Sequence, residues 1–271
     1  MQSAGIRIVI TGSTGLIGSH VKEFLESEDF EVYCPARNEI FDVVKKIKPS
    51  HIINCIGAGM DHRKNQSEDS IWLANYTIPK QIVELACALD SRFISIGSLL
   101  EKIEGFNSPY ILSKRAFSEF LLSSTGLKLD FALLLTPIVF GVKPEHALLS
   151  EILQSSQSRK PVKLESPSAI RDFVHVSDLS LAIRQIIKKV NMDHRVFEVG
   201  SGKGYVLSSL CEISLKGIAN PAWEHVNNTR TNTFEVVADL TNIQSTLNFK
   251  VECELEEWIK LEIKRLEAEF R

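Results

Sequence analysis

The sequence has few cysteines, almost no excess of charge of either sign and no long apolar run. Its five cysteines, at positions 34, 55, 87, 211 and 253, are odd in number and include no Cys-x-x-Cys pair. This pattern argues against a disulfide framework and against a zinc ribbon, so we expect reduced thiols and no metal site. The 31 basic and 34 acidic side chains give a formal net charge of −3, whereas a nucleic-acid-binding domain is usually strongly basic. We therefore expect no nucleic-acid partner.

No segment of the sequence is typical of a membrane protein or of an exported one. The most apolar run, residues 131–140, is about half as long as a membrane-spanning helix and contains Pro137. Residues 1–10 lack a basic stretch followed by an apolar one, which is the pattern of a signal peptide. We therefore expect a cytoplasmic protein with no membrane partner.

What the sequence does contain is an alternation of short β-branched runs and amphipathic segments in its first half. Strands are predicted over 6–10, 31–34, 52–56, 92–96 and 130–135, and helices over 16–25, 41–47, 71–89 and 109–123. Alternation of this kind is typical of a parallel sheet with helices on both faces. The expected class is therefore α/β, with a Rossmann-type doubly wound parallel sheet.

Beyond about residue 140 the alternation loosens into shorter elements. These are predicted helices over 147–157, 177–190 and 205–216, strands over 196–199 and 234–237, and a C-terminal helix from about residue 254. We expect residues 1–140 to form a dinucleotide-binding core, joined by returning segments from about 170–200. Residues 141–271 would form mainly a small C-terminal lobe that binds the substrate.

A glycine-rich turn, TGSTGLIG at residues 11–18, directly follows the first predicted strand and opens the first helix. Gly12 would permit the tight turn, Gly15 the close approach of backbone N–H groups to a pyrophosphate, and Gly18 the close packing of helix on strand. No Gly-Lys-Ser/Thr follows, which argues against an ATP-type phosphate loop. The other expected cofactor contacts in this segment are Thr14, Leu16 and Ile17.

The end of the second strand favours NADP(H) over NAD(H). A carboxylate there would bind a ribose 2′-OH and repel a 2′-phosphate, but the strand ends in Cys-Pro-Ala-Arg and the first carboxylate is Glu39. Arg37 offers a planar cation suited to phosphate. NAD(H) stays open as the alternative, with Arg37 then a solvated loop residue.

Tyr110 and Lys114 are spaced to share one face of the helix predicted over 109–123. A nearby ammonium favours the phenolate, so Lys114 is expected to lower the pKa of Tyr110 from its ordinary value near 10. Ser98 follows the preceding strand, at the edge where such sheets bind ligands, and would hydrogen-bond the substrate oxygen. Ser95 is a competitor, although it lies within the strand.

With these motifs the sequence resembles the extended short-chain dehydrogenase/reductase family, of the NAD-dependent epimerase/dehydratase type that acts on nucleotide sugars. The resemblance covers nearly the whole chain. It depends on residues 11–18, on Asn75 and on the Ser98, Tyr110 and Lys114 set. It continues in VFG at 139–141, RDFVHVSDL at 171–179 and FEVGSG at 197–202.

The resemblance implies several roles that the residues alone do not. It places Arg171 and Arg230 near the diphosphate of a nucleotide-diphosphate sugar, and His146 near the substrate. It adds Ile56, Gly57, Asn75 and Pro137 to the cofactor contacts. It also implies a homodimer formed by the helices of Asn75 and Tyr110, whose apolar faces permit such an interface. Those faces carry Ile71, Ile78, Ile82, Phe117, Phe120 and Leu121.

Departures from the family pattern bear on the reaction. Leu99 and Leu100 follow Ser98, where dehydratases of the family have an acid pair and where epimerising reductases have a cysteine. The epimerising reductases pair that cysteine with a histidine, and this sequence offers only the histidine, His146. The remaining Ser-Tyr-Lys set suits NADPH-dependent reduction of the 4-keto group of a nucleotide-linked 6-deoxyhexose, with Tyr110 as proton donor. An NAD-dependent nucleotide-sugar 4-epimerase and a non-catalytic cofactor-sensing protein are the alternatives.

The chain is short between Arg37 and the strand predicted at 52–56. There is room for one short helix, but not for the helix, strand and loop that relatives usually have there. The sequence therefore predicts a trimmed sheet edge and a more open adenine pocket, in which Arg37 would contribute much of the binding.

Overall fold

The computed structural model describes residues 5–60, 65–123, 129–141, 147–192, 194–226 and 234–269. The strands, in chain order, are β1 (Arg7–Thr11), β2 (Glu31–Tyr33), β3 (His51–Asn54), β4 (Arg92–Ser98), β5 (Phe131–Thr136), β6 (Ile138–Phe140), β7 (Val162–Leu164), β8 (Ile170–Arg171), β9 (Phe173–His175), β10 (Val196–Glu198), β11 (Tyr205–Val206), β12 (Trp223–His225) and β13 (Glu235–Val236). The helices are α1 (Leu16–Glu26), α2 (Ile40–Ile47), α3 (Glu68–Trp72), α4 (Ile78–Ala88), α5 (Pro109–Ser123), α6 (Ala147–Ser158), α7 (Val176–Lys188), α8 (Leu207–Ser214), α9 (Thr241–Leu247) and α10 (Leu255–Glu269).

Six strands form one parallel sheet in the order β10-β5-β4-β3-β1-β2. The chain leaves β1 toward β2 on one side and then returns to β3 on the other. This reversal places a topological switch point at the carboxyl ends of β1 and β3, where doubly wound sheets bind ligands. The sheet ends at β2, which agrees with the trimmed edge predicted from the short segment between Arg37 and β3.

Side chains of β1 alternate between two apolar layers, as the doubly wound class requires. Ile8 and Ile10 pack with residues of α1, α7 and α9, whereas Val9 faces the layer formed with α2, α4 and α5. All three are fully buried. Strands buried on both faces explain why the sequence reads here as continuous β-branched runs rather than as an alternating pattern.

The helix predicted over 71–89 differs from the observed one at its start and in its middle. Helix α3 begins at Glu68, where Ser67 accepts a hydrogen bond from the N–H of Ser70 at 3.3 Å. A π-helical turn, Leu73–Thr77, then separates α3 from α4. The apolar residues on each side of this turn are themselves at helical spacing, so the sequence pattern predicts a single continuous helix.

The C-terminal part of the chain builds a third apolar cluster from α6, α8, α10 and the short strands. Phe140 and Trp258 meet there with ring centroids 5.1 Å apart. The helix predicted over 205–216 begins only at Leu207, because Tyr205–Val206 pairs with β8 as a strand. A domain boundary at residue 140 stays a prediction.

Asp172 ties this part of the chain to the main sheet. Its buried carboxylate accepts hydrogen bonds from the N–H and hydroxyl of Ser201 at 3.0 and 2.5 Å, from the N–H of Gly202 at 3.0 Å and from that of Ala238 at 3.1 Å. One side chain thus joins three segments that lie far apart in sequence. Within the described ranges, no helix is long and apolar enough to cross a membrane.

Candidate active site

The loop between β1 and α1 packs so closely that two of its glycines are required. Gly12 has φ of +75°, and a Cβ atom there would lie 2.7 Å from the carbonyl carbon and oxygen of Cys55. A Cβ atom on Gly18 would lie 2.2 Å from the carbonyl oxygen of Gly12. The structure therefore contains the tight turn and the close contact of helix with strand that a dinucleotide-binding loop needs.

The first turn of α1 can accommodate an anion. Its N-cap residue, Gly15, provides no side-chain hydrogen bond, and the turn has no acidic residue. Thr14 and Gly15 are exposed, while Leu16 and Ile17 are half-buried. Uncapped N–H groups at the positive end of a helix suit a phosphate. The loop and the helix end together fit a dinucleotide pyrophosphate.

The end of β2 lies beside this loop, where the side chains of Cys34 and Ser13 form a hydrogen bond. Arg37 opens the short 3₁₀ turn Arg37–Glu39 and is exposed. It forms no ion pair with any residue that the structure describes. Its guanidinium is therefore available at the end of the strand where the adenosine ribose binds in such folds, a position that fits a 2′-phosphate.

Asn75 holds the loop after β3 against α5. Its side-chain oxygen accepts from the N–H of Ala58 at 2.9 Å, and its amide donates to the Ala58 carbonyl at 2.9 Å and to the Ser113 hydroxyl at 3.0 Å. The side chain is fully buried in the π-helical turn Leu73–Thr77, a distortion frequent at functional sites. The structure thus gives Asn75 a positioning role, and direct contact with a cofactor stays a prediction.

Three other expected cofactor contacts lie along the carboxyl edge of β3, β4 and β5. Ile56 is buried just beyond β3. A Cβ atom on Gly57 would lie 3.9 Å from Nζ of Lys114 and 4.0 Å from Oδ1 of Asn75. Pro137 is half-buried between β5 and β6. These placements agree with a nicotinamide site near Lys114.

Ser98, Tyr110 and Lys114 come together at the same edge. Ser98 is the last residue of β4, and its side chain forms a hydrogen bond with the hydroxyl of Tyr110. Lys114, one turn further along α5, is buried and donates from Nζ to the carbonyl of Ile96 at 2.7 Å. The hydroxyl of Ser95, within β4, accepts a hydrogen bond from the side-chain amide of Asn54 on β3 at 3.3 Å. Ser95 therefore does not compete with Ser98 for the substrate oxygen.

The pKa of Tyr110 shifts in the direction opposite to that expected from the sequence. Burial raises it to about 12, while the hydrogen bond with Ser98 lowers it and the charge of Glu101 raises it further. Burial also lowers the pKa of Lys114, and Glu101 and Cys55 raise it. The expectation of a lowered tyrosine pKa is wrong for this structure, because desolvation of the phenolate is the largest effect and Lys114 is not among the groups that act on this pKa. Tyr110 is therefore protonated throughout the neutral range.

A buried carboxylate, Glu101, lies at the site and was not identified from the sequence. Ser98 is the N-cap of the 3₁₀ turn Leu99–Lys102, and Glu101 accepts from the Ser98 N–H at 2.6 Å. In return the Ser98 hydroxyl accepts from the N–H of Leu100 at 3.3 Å. The signal that could have revealed it is the Ser-x-x-Glu spacing of a capping box.

Arg171, the described one of the two arginines expected near the diphosphate, packs over the ring of Phe234, with 4.6 Å between the guanidinium carbon and the ring centroid. It donates hydrogen bonds to the carbonyls of Ile170 at 2.8 Å and Phe234 at 2.5 Å. Phe106 also contacts Phe234, with ring centroids 5.3 Å apart. Arg171 is thus a half-buried cation held by neighbouring backbone carbonyls, and its place near a substrate diphosphate stays a prediction.

Two expected substrate contacts, His146 and Arg230, lie outside the residues that the structure describes. The paired arginines inferred for the diphosphate therefore stay a prediction. Across the described ranges, no group of three or more His, Cys, Asp or Glu side chains is placed to hold a metal ion.

Comparison with known proteins bears on this arrangement. The sequence pattern of the NAD dependent epimerase/dehydratase family matches residues 8–200. CDP-abequose synthase of Salmonella muenchen is 26% identical over 242 residues, which are 80% of this chain and 82% of that protein.

Solved structures match over almost the whole length. UDP-glucose 4-epimerase of Thermotoga maritima, solved with UDP-glucose, has a TM-score of 0.81 at 19% identity, covering 98% of this chain and 100% of that one. RMD of Pseudomonas aeruginosa, complexed with NADPH, has a TM-score of 0.77 at 16% identity, covering 97% and 99%. At these identities the likeness shows the fold, and it agrees with the Rossmann-type class expected from the sequence.

Proposed function

Since the chain belongs to the NAD dependent epimerase/dehydratase family and is an enzyme of the NAD(P)-dependent oxidoreductase type, we propose a specific reduction as its reaction. The chain reduces the 4-keto group of a nucleotide-linked 6-deoxyhexose with NADPH. The observation that carries the proposal is the contact between Ser98 and a protonated Tyr110 beside Lys114. Reduction of a ketone needs a proton donor, and a neutral phenol is one. The similarity to CDP-abequose synthase gives further support.

A bound nicotinamide cofactor would supply the hydride for such a reduction. The chain's own residues do the rest. Gly12 and Gly18 shape the loop, Gly15 would let the backbone N–H groups at the start of α1 bind the pyrophosphate, and Lys114 would bind the nicotinamide ribose. Tyr110 donates its hydroxyl proton to the substrate oxygen as negative charge develops there. The Ser98 hydroxyl donates a hydrogen bond to that same oxygen.

Arg37 supports NADPH as the preferred cofactor. It is an exposed cation beyond the end of β2, without a carboxylate at the strand end to repel a 2′-phosphate. A nucleotide-diphosphate sugar as substrate agrees with the half-buried cation of Arg171.

The experiment is a screen of CDP-, dTDP- and GDP-linked 4-keto-6-deoxy sugars with the purified chain and NADPH. Turnover is measured as the loss of NADPH absorbance. The matched control is Tyr110→Phe, which keeps the ring and removes the donated proton. Oxidation of NADPH by the unaltered chain, and not by the variant, is the expected outcome. Equal turnover by the two proteins would overturn the mechanism.

A 4-epimerase is the second candidate, because the same three side chains serve that reaction and the fold matches UDP-glucose 4-epimerase at a TM-score of 0.81. The state of the cofactor separates the two. Tightly retained NAD in the purified protein would favour the epimerase, whereas exchangeable NADPH that binds more tightly than NADH favours the reductase.

Assembly as a homodimer through α3, α4 and α5 also belongs to the proposal, but of the expected apolar faces only Ile78 and Phe120 are partly exposed. Ile82, Phe117 and Leu121 are buried in the chain's own core. Apolar side chains that are exposed on these elements and on the π-helical turn Leu73–Thr77 are Leu73, Leu112 and Leu122. Analytical ultracentrifugation tests the dimer, which Leu73→Glu and Leu112→Glu together should dissociate.

A further inference from the structure

Glu101 is a buried carboxylate next to the candidate catalytic set, and the proposed reaction does not use it. Only 8% of the residue is exposed. A carboxylate seldom occupies such a place unless charged or polar partners compensate it, so its partners indicate its role.

The two carboxylate oxygens of Glu101 bridge the strand that ends in Ser98 and the helix that carries Tyr110. Oε1 accepts from the backbone N–H of Ser98 at 2.6 Å. Oε2 accepts from the hydroxyl of Ser118 at 2.5 Å. Ser118 follows Lys114 by four residues and Tyr110 by eight, so the three share one face of α5.

The backbone near Glu101 is fixed to the same helix. Arg115 donates from Nε to the Glu101 carbonyl at 2.8 Å and from Nη2 to the Ile103 carbonyl at 2.9 Å. A Cβ atom on Gly97 would lie 2.9 Å from Oε1 of Glu101, so β4 leaves room for the carboxylate. The turn after β4 is therefore held to α5 by both side chain and backbone.

Glu101 is also the carboxylate that acts on the buried ammonium of Lys114. Burial lowers the pKa of Lys114, and Glu101 is the largest of the groups that raise it, followed by the Cys55 thiol. In turn burial raises the pKa of Glu101, while Lys114 and Arg115 lower it. A buried cation without a counterion loses its charge easily.

We propose that Glu101 is a positioning residue for the candidate catalytic set: its carboxylate fixes Ser98 against the face of α5 that holds Tyr110 and Lys114. The inference rests on the proposed function where it is tested through kcat and the pH dependence of kcat. It adds a residue outside the Ser-Tyr-Lys set to the machinery of this chain.

The test is Glu101→Gln, with Glu104→Gln as its matched control. Both variants remove one negative charge, but Glu104 is exposed. We expect Glu101→Gln to lower kcat roughly tenfold to a hundredfold, since small misplacements of reacting groups have effects of that size. Affinity for NADPH should change little, and the control should match the wild type.

The pH dependence separates positioning from a merely structural role. Without the carboxylate the pKa values of Tyr110 and Lys114 both fall, because Glu101 raises each of them. The alkaline limb of the kcat profile should therefore move to lower pH in Glu101→Gln. A lower melting temperature with an unmoved limb would show a structural role only and would overturn the proposal.

One readout does not depend on the substrate. Ultraviolet absorbance of tyrosinate, corrected with Tyr110→Phe in each background, reports ionisation of Tyr110 alone. Its onset should occur at lower pH in Glu101→Gln than in the wild type. If no 4-keto sugar is reduced by any protein, the proposed function fails while this comparison still tests Glu101.

A second variant covers the case in which Glu101→Gln does not fold. Ser118→Ala removes the contact with α5 and leaves the carboxylate in place. A fall in kcat with the alkaline limb unmoved is the expected result. An unchanged kcat in Ser118→Ala would refute the role in positioning.

Discussion

Replacing Gly18 with alanine would place a methyl group against the backbone of the phosphate loop. The added Cβ atom would lie 2.2 Å from the carbonyl oxygen of Gly12, 2.7 Å from its carbonyl carbon and 2.9 Å from Cα of Ser13. All three are backbone atoms, so no rotation of a side chain relieves the contact. The start of α1 must therefore move away from β1.

Ordinary contact begins near 3.4 Å, so the displacement is about 1 Å. Overpacking of this kind costs about 1–3 kcal/mol of the free energy of unfolding. For a chain of this size that corresponds to a melting temperature lower by about 2–10 °C. The same movement withdraws backbone N–H groups from the pyrophosphate, so NADPH binding should weaken roughly tenfold or more.

Gly15→Ala is the matched comparison. A Cβ atom at Gly15 would meet only the Gly12 carbonyl oxygen, at an ordinary 3.6 Å. We expect its melting temperature without cofactor to stay within about 2 °C of the wild type. Its affinity for NADPH should still fall, because the methyl group occupies space next to the phosphate.

The assay is thermal unfolding of both variants without cofactor, together with isothermal titration of NADPH. A Gly18→Ala protein with the wild-type melting temperature and affinity would refute the close packing of the loop. Full cofactor affinity in Gly15→Ala would refute the placement of the pyrophosphate at this helix end.

Three further predictions follow from the same geometry. Tyr110→Phe should lower kcat by about 10²- to 10⁴-fold while the NADPH dissociation constant, measured by titration, stays within about threefold. Arg37→Ala should weaken NADPH binding about tenfold and leave NADH binding unchanged; an equal loss for both would place Arg37 away from the 2′-phosphate. Burial lowers the pKa of His51 and of His175 to about 4, so the unfolded chain binds protons first as the pH falls below 6.5. Stability should therefore decline between about pH 6.5 and 4, by at most about 2 kcal/mol per histidine given their partial exposure, and His51→Gln should flatten the dependence of melting temperature on pH.

The sequence predicted those helices, strands and turns whose structure is determined by residues close to one another in the chain. β1, the glycine loop and α1 follow one another within 26 residues, and each has its own pattern of β-branched residues, glycines or helical period. Ser98, Tyr110 and Lys114 were identified in the same way, because strand order brings the end of β4 beside α5.

The rest depends on contacts that sequence spacing does not reveal. The strand Tyr205–Val206 has only two residues and exists because β8 pairs with it. The pKa of Tyr110 moves upward because its surroundings exclude water, which depends on the packing of the whole site. Two leucines separate Glu101 from Ser98 in sequence, and only the turn Leu99–Lys102 brings its carboxylate back to the Ser98 N–H.

The four hydrogen bonds that converge on the Asp172 carboxylate have a consequence for the order of assembly during folding. Ser201 and Gly202 come about 30 residues after it in the chain, and Ala238 comes 66 residues after it. Closing loops of that length is entropically costly before any contact offsets the cost. The pairings of β1 with β2 and with β3 span fewer residues than the contact between Asp172 and Ala238, so they are expected to form before that contact joins Asp172 to the C-terminal part of the chain.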